Sequence, residues 1–117
     1  MILVVEDDAG VRVLIEQMLA LRGYDFITVK NAEEALIELE RQPRISLLLT
    51  DIRMPGLNGW ELARRAVEGR AIKVMYITGY LGKIPDDSPD APLIRKPWGL
   101  REFYMCVENL IGLPLHQ

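Results

Sequence analysis

Short apolar runs alternate with segments of helical periodicity along this chain of 117 residues. The runs have the length and aliphatic character of buried strands, and we assign them to residues 2–5, 25–29, 45–50, 73–78 and 93–94. Helical periodicity covers residues 9–21, 59–68 and 100–111, and a further helix lies between its predicted cap Asn31 and Gln42. This alternation predicts a doubly wound α/β fold, with five parallel strands in the flavodoxin-like order 2-1-3-4-5 and helices on both faces.

All four predicted helices carry an apolar stripe at helical spacing, which we expect to face the sheet. In the first helix the stripe consists of Val11, Leu14, Ile15, Met18 and Leu19. In the third helix it consists of Leu62, Ala63, Ala66 and Val67.

The connection between the fourth and fifth strands departs from this pattern. Residues 79–92 contain three prolines and two glycines. Proline removes a helical hydrogen bond and glycine disfavours a helix, so little regular helix fits here. We therefore predict that the fourth helix of the fold is short, irregular or mobile.

Length and composition limit the class of protein. The chain suits a single domain spanning residues 1–117, and its mixed charges, with a net charge of −3, give no basic surface for nucleic acid. No apolar run approaches the roughly 20 residues of a membrane span, and no secretory signal is visible. The single cysteine, Cys106, fits a reducing compartment. We expect a cytoplasmic protein without membrane insertion or a nucleic-acid partner.

Polar side chains stand at the points where four of the predicted strands end. Glu6 and Asp7 follow the first strand and Asp51 the third, while Thr78 ends the fourth and Lys96 follows the fifth. The first and third strands are neighbours in the predicted order, so their three carboxylates meet. Such a cluster requires a cation or raised pKa values, and Mg²⁺ prefers oxygen ligands of this kind. With a hydroxyl and an ammonium at the same edge, these groups form a candidate phosphoryl site.

Four sequence blocks resemble the receiver domain of two-component response regulators, in the family's order and over essentially the whole chain. They are Val-Val-Glu-Asp-Asp at 4–8, Thr-Asp-Ile-Arg-Met-Pro at 50–55 with Gly59, Ile-Thr-Gly-Tyr at 77–80 and Arg-Lys-Pro-Trp at 95–98. The Asp-x-x-Met-Pro-x-x-x-Gly pattern is specific to this family. The third block and the proline-rich loop after it are similar to receivers of hybrid histidine kinases and to stand-alone single-domain regulators.

The resemblance implies a metal site at the acidic cluster. Asp7 and Asp51 would bind Mg²⁺ directly, together with the backbone carbonyl of Arg53, and Mn²⁺ is the alternative ion. Glu6 would act mainly through a metal-bound water. Asp8, the next acid along the chain, would not belong to this set.

The resemblance also implies the phosphoryl chemistry. Asp51 would be the phosphoacceptor, Lys96 would bridge to it and then to the phosphoryl group, and Thr78 would move inward to bind a phosphoryl oxygen. The Lys96–Pro97 peptide bond would be cis. One departure concerns the relay of the signal, since Leu93 occupies the position of the family's usual aromatic reporter.

The function that follows is phosphorelay signalling rather than enzymatic turnover. The donor would be a sensor histidine kinase or a histidine phosphotransfer protein, and the phosphorylated chain would regulate a downstream protein or a parent hybrid kinase. No output domain follows the last helix, so we expect a stand-alone receiver or one excised from a larger protein.

Three other functions remain open at this point. The first is a receiver-like binding module that no longer uses phosphorylation. The second is a Mg²⁺-dependent phosphohydrolase with an Asp nucleophile, although Arg53 stands where such enzymes place a general acid and cannot deliver a proton at neutral pH. The third is a flavin mononucleotide carrier, which would need a Ser/Thr/Gly-rich phosphate loop where Glu6, Asp7 and Asp8 stand.

Overall fold

The computed structural model describes residues 1–79 and 89–114. Within these ranges the elements are β1 (Ile2–Val5), α1 (Ala9–Leu21), β2 (Phe26–Val29), α2 (Ala32–Arg41), β3 (Leu47–Thr50), α3 (Gly59–Gly69), β4 (Lys73–Thr78), β5 (Leu93–Arg95) and α4 (Leu100–Ile111). The strands form one parallel sheet in the order β2-β1-β3-β4-β5. The predicted fold class and strand order are confirmed, and strand bounds differ from the predicted ones by at most two residues.

The strands β1 and β3 are apolar apart from Thr50, because helices cover both faces of the sheet. Every residue of β1 and β3 is buried. Val5 lies opposite Thr50 in the parallel register, and Thr50 lies opposite Tyr76. The carboxyl ends of β1 and β3 therefore coincide, and the residues that follow them emerge side by side.

Two apolar layers fill the space between the sheet and the helices. On one face Leu48 and Tyr76 belong to the layer under α2 and α3, which includes Leu62. On the other face Leu47 and Leu49 belong to the layer under α1 and α4. Alternate residues of each strand thus enter opposite layers, as the two-residue period of a strand requires.

The predicted apolar stripes are wrong at two positions. Leu14 of α1 is 47% exposed and Val67 of α3 is 37% exposed, whereas their stripe neighbours Ile15 and Ala66 are buried. Both helices contact the sheet through a narrower face than the hydrophobic pattern indicates. Leu14 consequently lies on the surface, beside the functional site described below.

Side-chain caps fix where three helices begin. Asp8 accepts a hydrogen bond from the Val11 amide at 3.0 Å, and Asn31 and Asn58 cap α2 and α3 in the same way. Such a side chain satisfies an amide that has no partner within the helix. Because Asp8 is used as the cap of α1, Glu6 and Asp7 are the two acids of this loop that can serve the site.

The predicted irregular fourth helix falls between β4 and β5, largely outside the described residues, as does Tyr80. The described ends of that connection, Gly79 and residues 89–92, are not helical. The prediction therefore stays a prediction. No helix in the part of the chain described by the structure is both long and apolar enough to cross a membrane.

Candidate functional site

Three carboxylates meet at the carboxyl ends of β1 and β3. One oxygen from each of Glu6, Asp7 and Asp51 lies within 4.8 Å of the other two. Glu6 is fully buried and Asp51 is 5% exposed, while Asp7 is exposed at the mouth of the cluster. The cluster therefore opens to solvent on the side of Asp7.

Lys96 lies between two of these carboxylates. Its Nζ donates a hydrogen bond to Oδ2 of Asp51 and forms an ion pair with Oε1 of Glu6, each at 2.7 Å. The Lys96 amide is hydrogen-bonded to the Thr78 carbonyl at 2.8 Å, and the Lys96–Pro97 bond is cis, as the resemblance implied. Burial by itself lowers the pKa of Lys96, but the two carboxylates raise it above its ordinary value, so the ammonium stays charged.

Glu6 is the least hydrated acid of the cluster. Its Oε2 accepts a hydrogen bond from the Asp8 amide at 3.1 Å. Burial raises the pKa of Glu6 to about 7, although Lys96 and the Asp8 amide act in the opposite direction. Asp51 adds a smaller upward contribution through its charge. A second cation near Glu6 would favour its ionised form.

Asp51 is held by contacts on both its backbone and its side chain. Its amide is hydrogen-bonded to the Val5 carbonyl of β1 at 3.0 Å, and its Oδ1 accepts a hydrogen bond from the Arg53 amide at 3.3 Å. The Thr50 hydroxyl donates to its carbonyl oxygen at 2.8 Å. Together with Lys96 on Oδ2, these contacts define the direction of the carboxylate.

Thr78 and Arg53 lie at the same edge of the sheet. Thr78 ends β4, the strand next to β3, and is fully buried. Arg53 follows β3 and is exposed. The structure thus gathers Glu6, Asp7, Asp51 and Lys96 into one cluster and places Thr78 and Arg53 beside it. Glu6 and Asp7 follow β1, Asp51 and Arg53 follow β3, Thr78 ends β4 and Lys96 follows β5. The chemical roles of all six stay predictions.

The donor set of this cluster fits a hard divalent cation. Three carboxylates converge, and such ions take oxygen ligands while keeping positions for water and phosphate. Without a cation, one ammonium faces two buried carboxylates, so negative charge remains in excess at the mouth where Asp7 lies. The chemistry of the donor set is therefore compatible with Mg²⁺ or Mn²⁺ beside Asp51.

Sequence reasoning did not identify two residues that support the site. Arg12 on α1 donates a hydrogen bond from its guanidinium to the Glu6 carbonyl at 2.9 Å. Thr50 has a fully buried hydroxyl inside an otherwise aliphatic strand. The sequence did contain a sign of this role for Thr50, since a polar residue in a strand predicted to be buried needs a hydrogen-bond partner.

An apolar groove adjoins the cluster on the side of α1 and α4. It encloses about 440 Å³ and is lined by Val11, Leu14, Met18, Lys96, Pro97, Trp98 and Leu100. Leu14 and Leu100 are about half exposed along it. Lys96 belongs to both the groove and the acidic cluster, so the two adjoin each other.

Known proteins resemble this chain in sequence over most of its length. The sequence profile of the response regulator receiver domain matches residues 2–86. The response regulator receiver protein CpdR of Brucella abortus (strain 2308) is 40% identical over 115 residues, which cover 94% of this chain and 95% of that protein. Sporulation initiation phosphotransferase F of Bacillus subtilis (strain 168) is 32% identical, covering 96% and 94%.

Solved structures and longer relatives agree with these matches. The receiver domain of the hybrid histidine kinase CckA superposes with a TM-score of 0.81 at 31% identity, covering 94% of this chain and 97% of that one. Other curated relatives are longer, and the chain spans only 13% to 34% of the length of three of them, two of which are probable transcriptional regulators.

Proposed function

Because this chain belongs to the response regulator receiver family, we propose that it accepts a phosphoryl group on Asp51 within a two-component phosphorelay. The observation that carries the proposal is the position of the Asp51 carboxylate. It lies at a sheet edge between the Lys96 ammonium and two further carboxylates. A nucleophile, a fixed cation and a set of metal ligands thus share one small volume.

The proposed transfer forms a bond between a carboxylate oxygen of Asp51 and phosphorus, while the bond from phosphorus to the donor's histidine nitrogen breaks. Lys96 holds the Asp51 carboxylate through the contact at 2.7 Å and then neutralises charge on the phosphoryl oxygens. The Thr78 hydroxyl donates a hydrogen bond to a phosphoryl oxygen, which draws the end of β4 toward Asp51. This movement links the chemistry to a change of conformation.

A metal ion completes the proposed site. Asp7, Asp51 and the Arg53 carbonyl would hold it, with Glu6 acting mainly through a water molecule. Bound Mg²⁺ or Mn²⁺ supplies positive charge that stabilises the transferring phosphoryl group. Excess negative charge at the cluster supports this assignment, because three neighbouring carboxylates are unfavourable without a cation.

The proposed phosphodonor is a sensor histidine kinase or a histidine phosphotransfer protein that seats an apolar surface in the groove beside Lys96. Continuity between the groove and the acidic cluster supports this docking surface. The exposed side chains of Leu14 and Leu100 supply apolar area that a partner would cover. Covering this apolar area on docking would favour the complex, because apolar surface is removed from water.

The wider role is also part of the proposal. Residues 1–117 would form one cytoplasmic receiver domain that regulates a downstream protein or a parent hybrid kinase. It would act as a phosphoacceptor rather than as an enzyme with turnover, and it would need neither nucleic acid nor a membrane. The likeness to CpdR over nearly the full length of both chains supports this assignment.

Intact mass spectrometry after incubation with acetyl phosphate and Mg²⁺ tests the proposal. We expect a mass gain of one phosphoryl group in the wild-type chain and none in the Asp51→Asn variant or with the metal chelated. An adduct that persists in Asp51→Asn would contradict the assignment of the acceptor. Absence of both an adduct and Mg²⁺ binding would favour a binding module that does not use phosphorylation, and phosphate release without an adduct would favour a hydrolase.

A further inference from the structure

Thr50 is the one polar residue of β3, whose other residues are leucines. It is fully buried at the end of β3, and its neighbours in the sheet register are Val5 and Tyr76, both on the face covered by α2 and α3. A buried hydroxyl without a hydrogen bond is costly. The Thr50 hydroxyl is satisfied by the carbonyl oxygen of Asp51 at 2.8 Å.

The carbonyl that accepts this hydrogen bond lies in a confined position. A Cβ atom built on Gly59, at the start of α3, would come within 2.1 Å of the Asp51 carbonyl oxygen. The Gly59 amide is hydrogen-bonded to the carbonyl of Ile52, the next residue, at 2.9 Å. The peptide unit between Asp51 and Ile52 is therefore fixed by the Thr50 hydroxyl on one side and by α3 on the other.

We propose that Thr50 is a positioning residue, whose hydroxyl orients the Asp51–Ile52 peptide unit so that the Asp51 carboxylate and the Arg53 carbonyl converge on one point. Thr50 touches none of the reacting atoms and acts through Asp51. The inference deepens the proposed phosphoacceptor function and rests on it.

The physical reason lies in the short path from this peptide unit to the reactive groups. Rotation of the peptide unit changes ψ of Asp51 and shifts the backbone that leads to Arg53, so the Arg53 amide and carbonyl move relative to the Asp51 carboxylate. The Arg53 amide contact to Oδ1 of Asp51 is already long at 3.3 Å, so small rotations break it. A misplacement of about 1 Å can cost about 100-fold in rate.

Two substitutions at position 50 separate positioning from packing. Thr50→Val keeps the shape of the side chain and removes the hydroxyl, whereas Thr50→Ser keeps the hydroxyl and removes a buried methyl group. We would measure the rate of phosphorylation by acetyl phosphate, Mg²⁺ affinity by titration, urea stability, and the amide shift of Ile52 in the metal-free protein. The Ile52 amide shares its peptide unit with the hydrogen-bonded carbonyl.

We expect Thr50→Val to slow phosphorylation at least about tenfold, within the range that misplacement of a reacting group produces. We also expect it to shift the Ile52 amide, while Thr50→Ser retains the wild-type rate and shift despite its lower stability. A wild-type rate in Thr50→Val, or losses in both variants that follow stability alone, would overturn the inference.

The outcome for the wild-type chain separates this inference from the proposed function. If the wild type is phosphorylated and Thr50→Val equals it, only the positioning role fails. If the wild type is not phosphorylated, the proposed function fails, and Mg²⁺ affinity then decides the positioning role. Equal affinity in the wild type and Thr50→Val would overturn it, and weaker affinity in Thr50→Val alone would support it.

Discussion

At the scale of single residues, the site depends on how closely α3 approaches the backbone of Asp51. Gly59 makes that approach possible, since a Cβ there would overlap the Asp51 carbonyl oxygen. The contacting atoms belong to the backbone, so they cannot move aside as the tip of a flexible side chain would. The position of the Asp51 backbone therefore depends on the position of α3, through the close contact at Gly59.

We predict that Gly59→Ala destabilises the fold by about 1–3 kcal/mol, the usual cost of overpacking, and slows phosphorylation because it displaces Asp51. Gly69→Ala is the matched control in the same helix, since nothing lies within 4 Å of a Cβ there. Urea denaturation and acetyl phosphate kinetics would measure both effects. Equal behaviour of the two variants would contradict the prediction.

Tyr76 gives a prediction about alkaline pH. It is 1% exposed, its hydroxyl has no hydrogen-bond partner among the described residues, and burial raises its pKa to about 12 from the ordinary value of 10.0. The neutral phenol is thus favoured in the folded state. Its contribution to stability is fully present below pH 10 and is lost as the pH rises toward 12.

We therefore expect the free energy of unfolding of the Tyr76→Phe variant to fall less steeply above pH 10 than that of the wild type. At pH 7 the Tyr76→Phe variant should be more stable than the wild type by about 1–3 kcal/mol, because it removes a buried hydroxyl that has no hydrogen-bond partner among the described residues. Urea denaturation from pH 7 to pH 11.5 measures the difference. Parallel curves would show that Tyr76 does not titrate on unfolding.

At the scale of elements, α2 and α3 each begin at an asparagine that caps the helix. Asn58 accepts the Glu61 amide at 3.0 Å and Asn31 accepts the Glu34 amide at 2.8 Å. Asn58 begins the helix that touches Asp51, whereas Asn31 begins α2, the helix that follows the edge strand β2. The two caps are alike in chemistry, but Asn58 begins the helix whose first residue, Gly59, contacts the backbone of Asp51.

We predict that Asn58→Ala and Asn31→Ala each destabilise the protein by about 1 kcal/mol, the typical value of a cap. Only Asn58→Ala should also slow phosphorylation, because it loosens α3 against the acceptor backbone. The comparison uses urea denaturation for stability and acetyl phosphate kinetics for the site. If the two variants lost activity equally, the slower rate would reflect stability rather than position.

The elements themselves could be predicted from the sequence because local patterns determine them. Alternating apolar runs and amphipathic segments predict β1, α1, β4 and α4 with the bounds that the structure shows. The exposure of Leu14 and Val67 could not be predicted, since hydrophobic periodicity does not reveal how wide a face each helix turns toward the sheet.

At the scale of the whole molecule, the groove beside Lys96 allows phosphoryl transfer to Asp51 and recognition of a protein donor to be tested separately. A small phosphodonor needs only the acidic cluster, whereas a protein donor would also need the apolar surface. Leu14 lies in this groove and is 47% exposed, while Leu21, at the other end of α1, is 80% exposed and outside it. This contrast provides a matched pair of surface variants.

We predict that Leu14→Gln lowers the rate of phosphotransfer from the cognate kinase or phosphotransfer protein about tenfold, because burying a leucine side chain on docking contributes about 1.5 kcal/mol or more and about 1.4 kcal/mol corresponds to a factor of ten. Phosphorylation by acetyl phosphate should be unchanged. Leu21→Gln should leave both reactions unchanged. Equal transfer to the Leu14→Gln and Leu21→Gln variants would remove the groove from the proposed donor surface.

The meeting of the carboxylates follows from topology, and the sequence predicts it through the strand order. The remaining features of the cluster depend on three-dimensional detail. The ion pair between Lys96 and Glu6 arises only once β5 and β1 have taken their places on either side of β3 and β4. No local pattern in the sequence encodes such contacts.

The proposed function depends on phosphoryl transfer to Asp51. Acetyl phosphate and Mg²⁺ would be used to phosphorylate the chain, borohydride would reduce the acyl phosphate, and peptide mass spectrometry would locate the reduced residue. We predict reduction at Asp51 alone, with Glu6 and Asp7 unmodified although their carboxylates lie within 4.8 Å. Reduction at Glu6 or Asp7 would contradict Asp51 as the acceptor. A chain that gains the phosphoryl mass but shows no reduced carboxylate would contradict it as well.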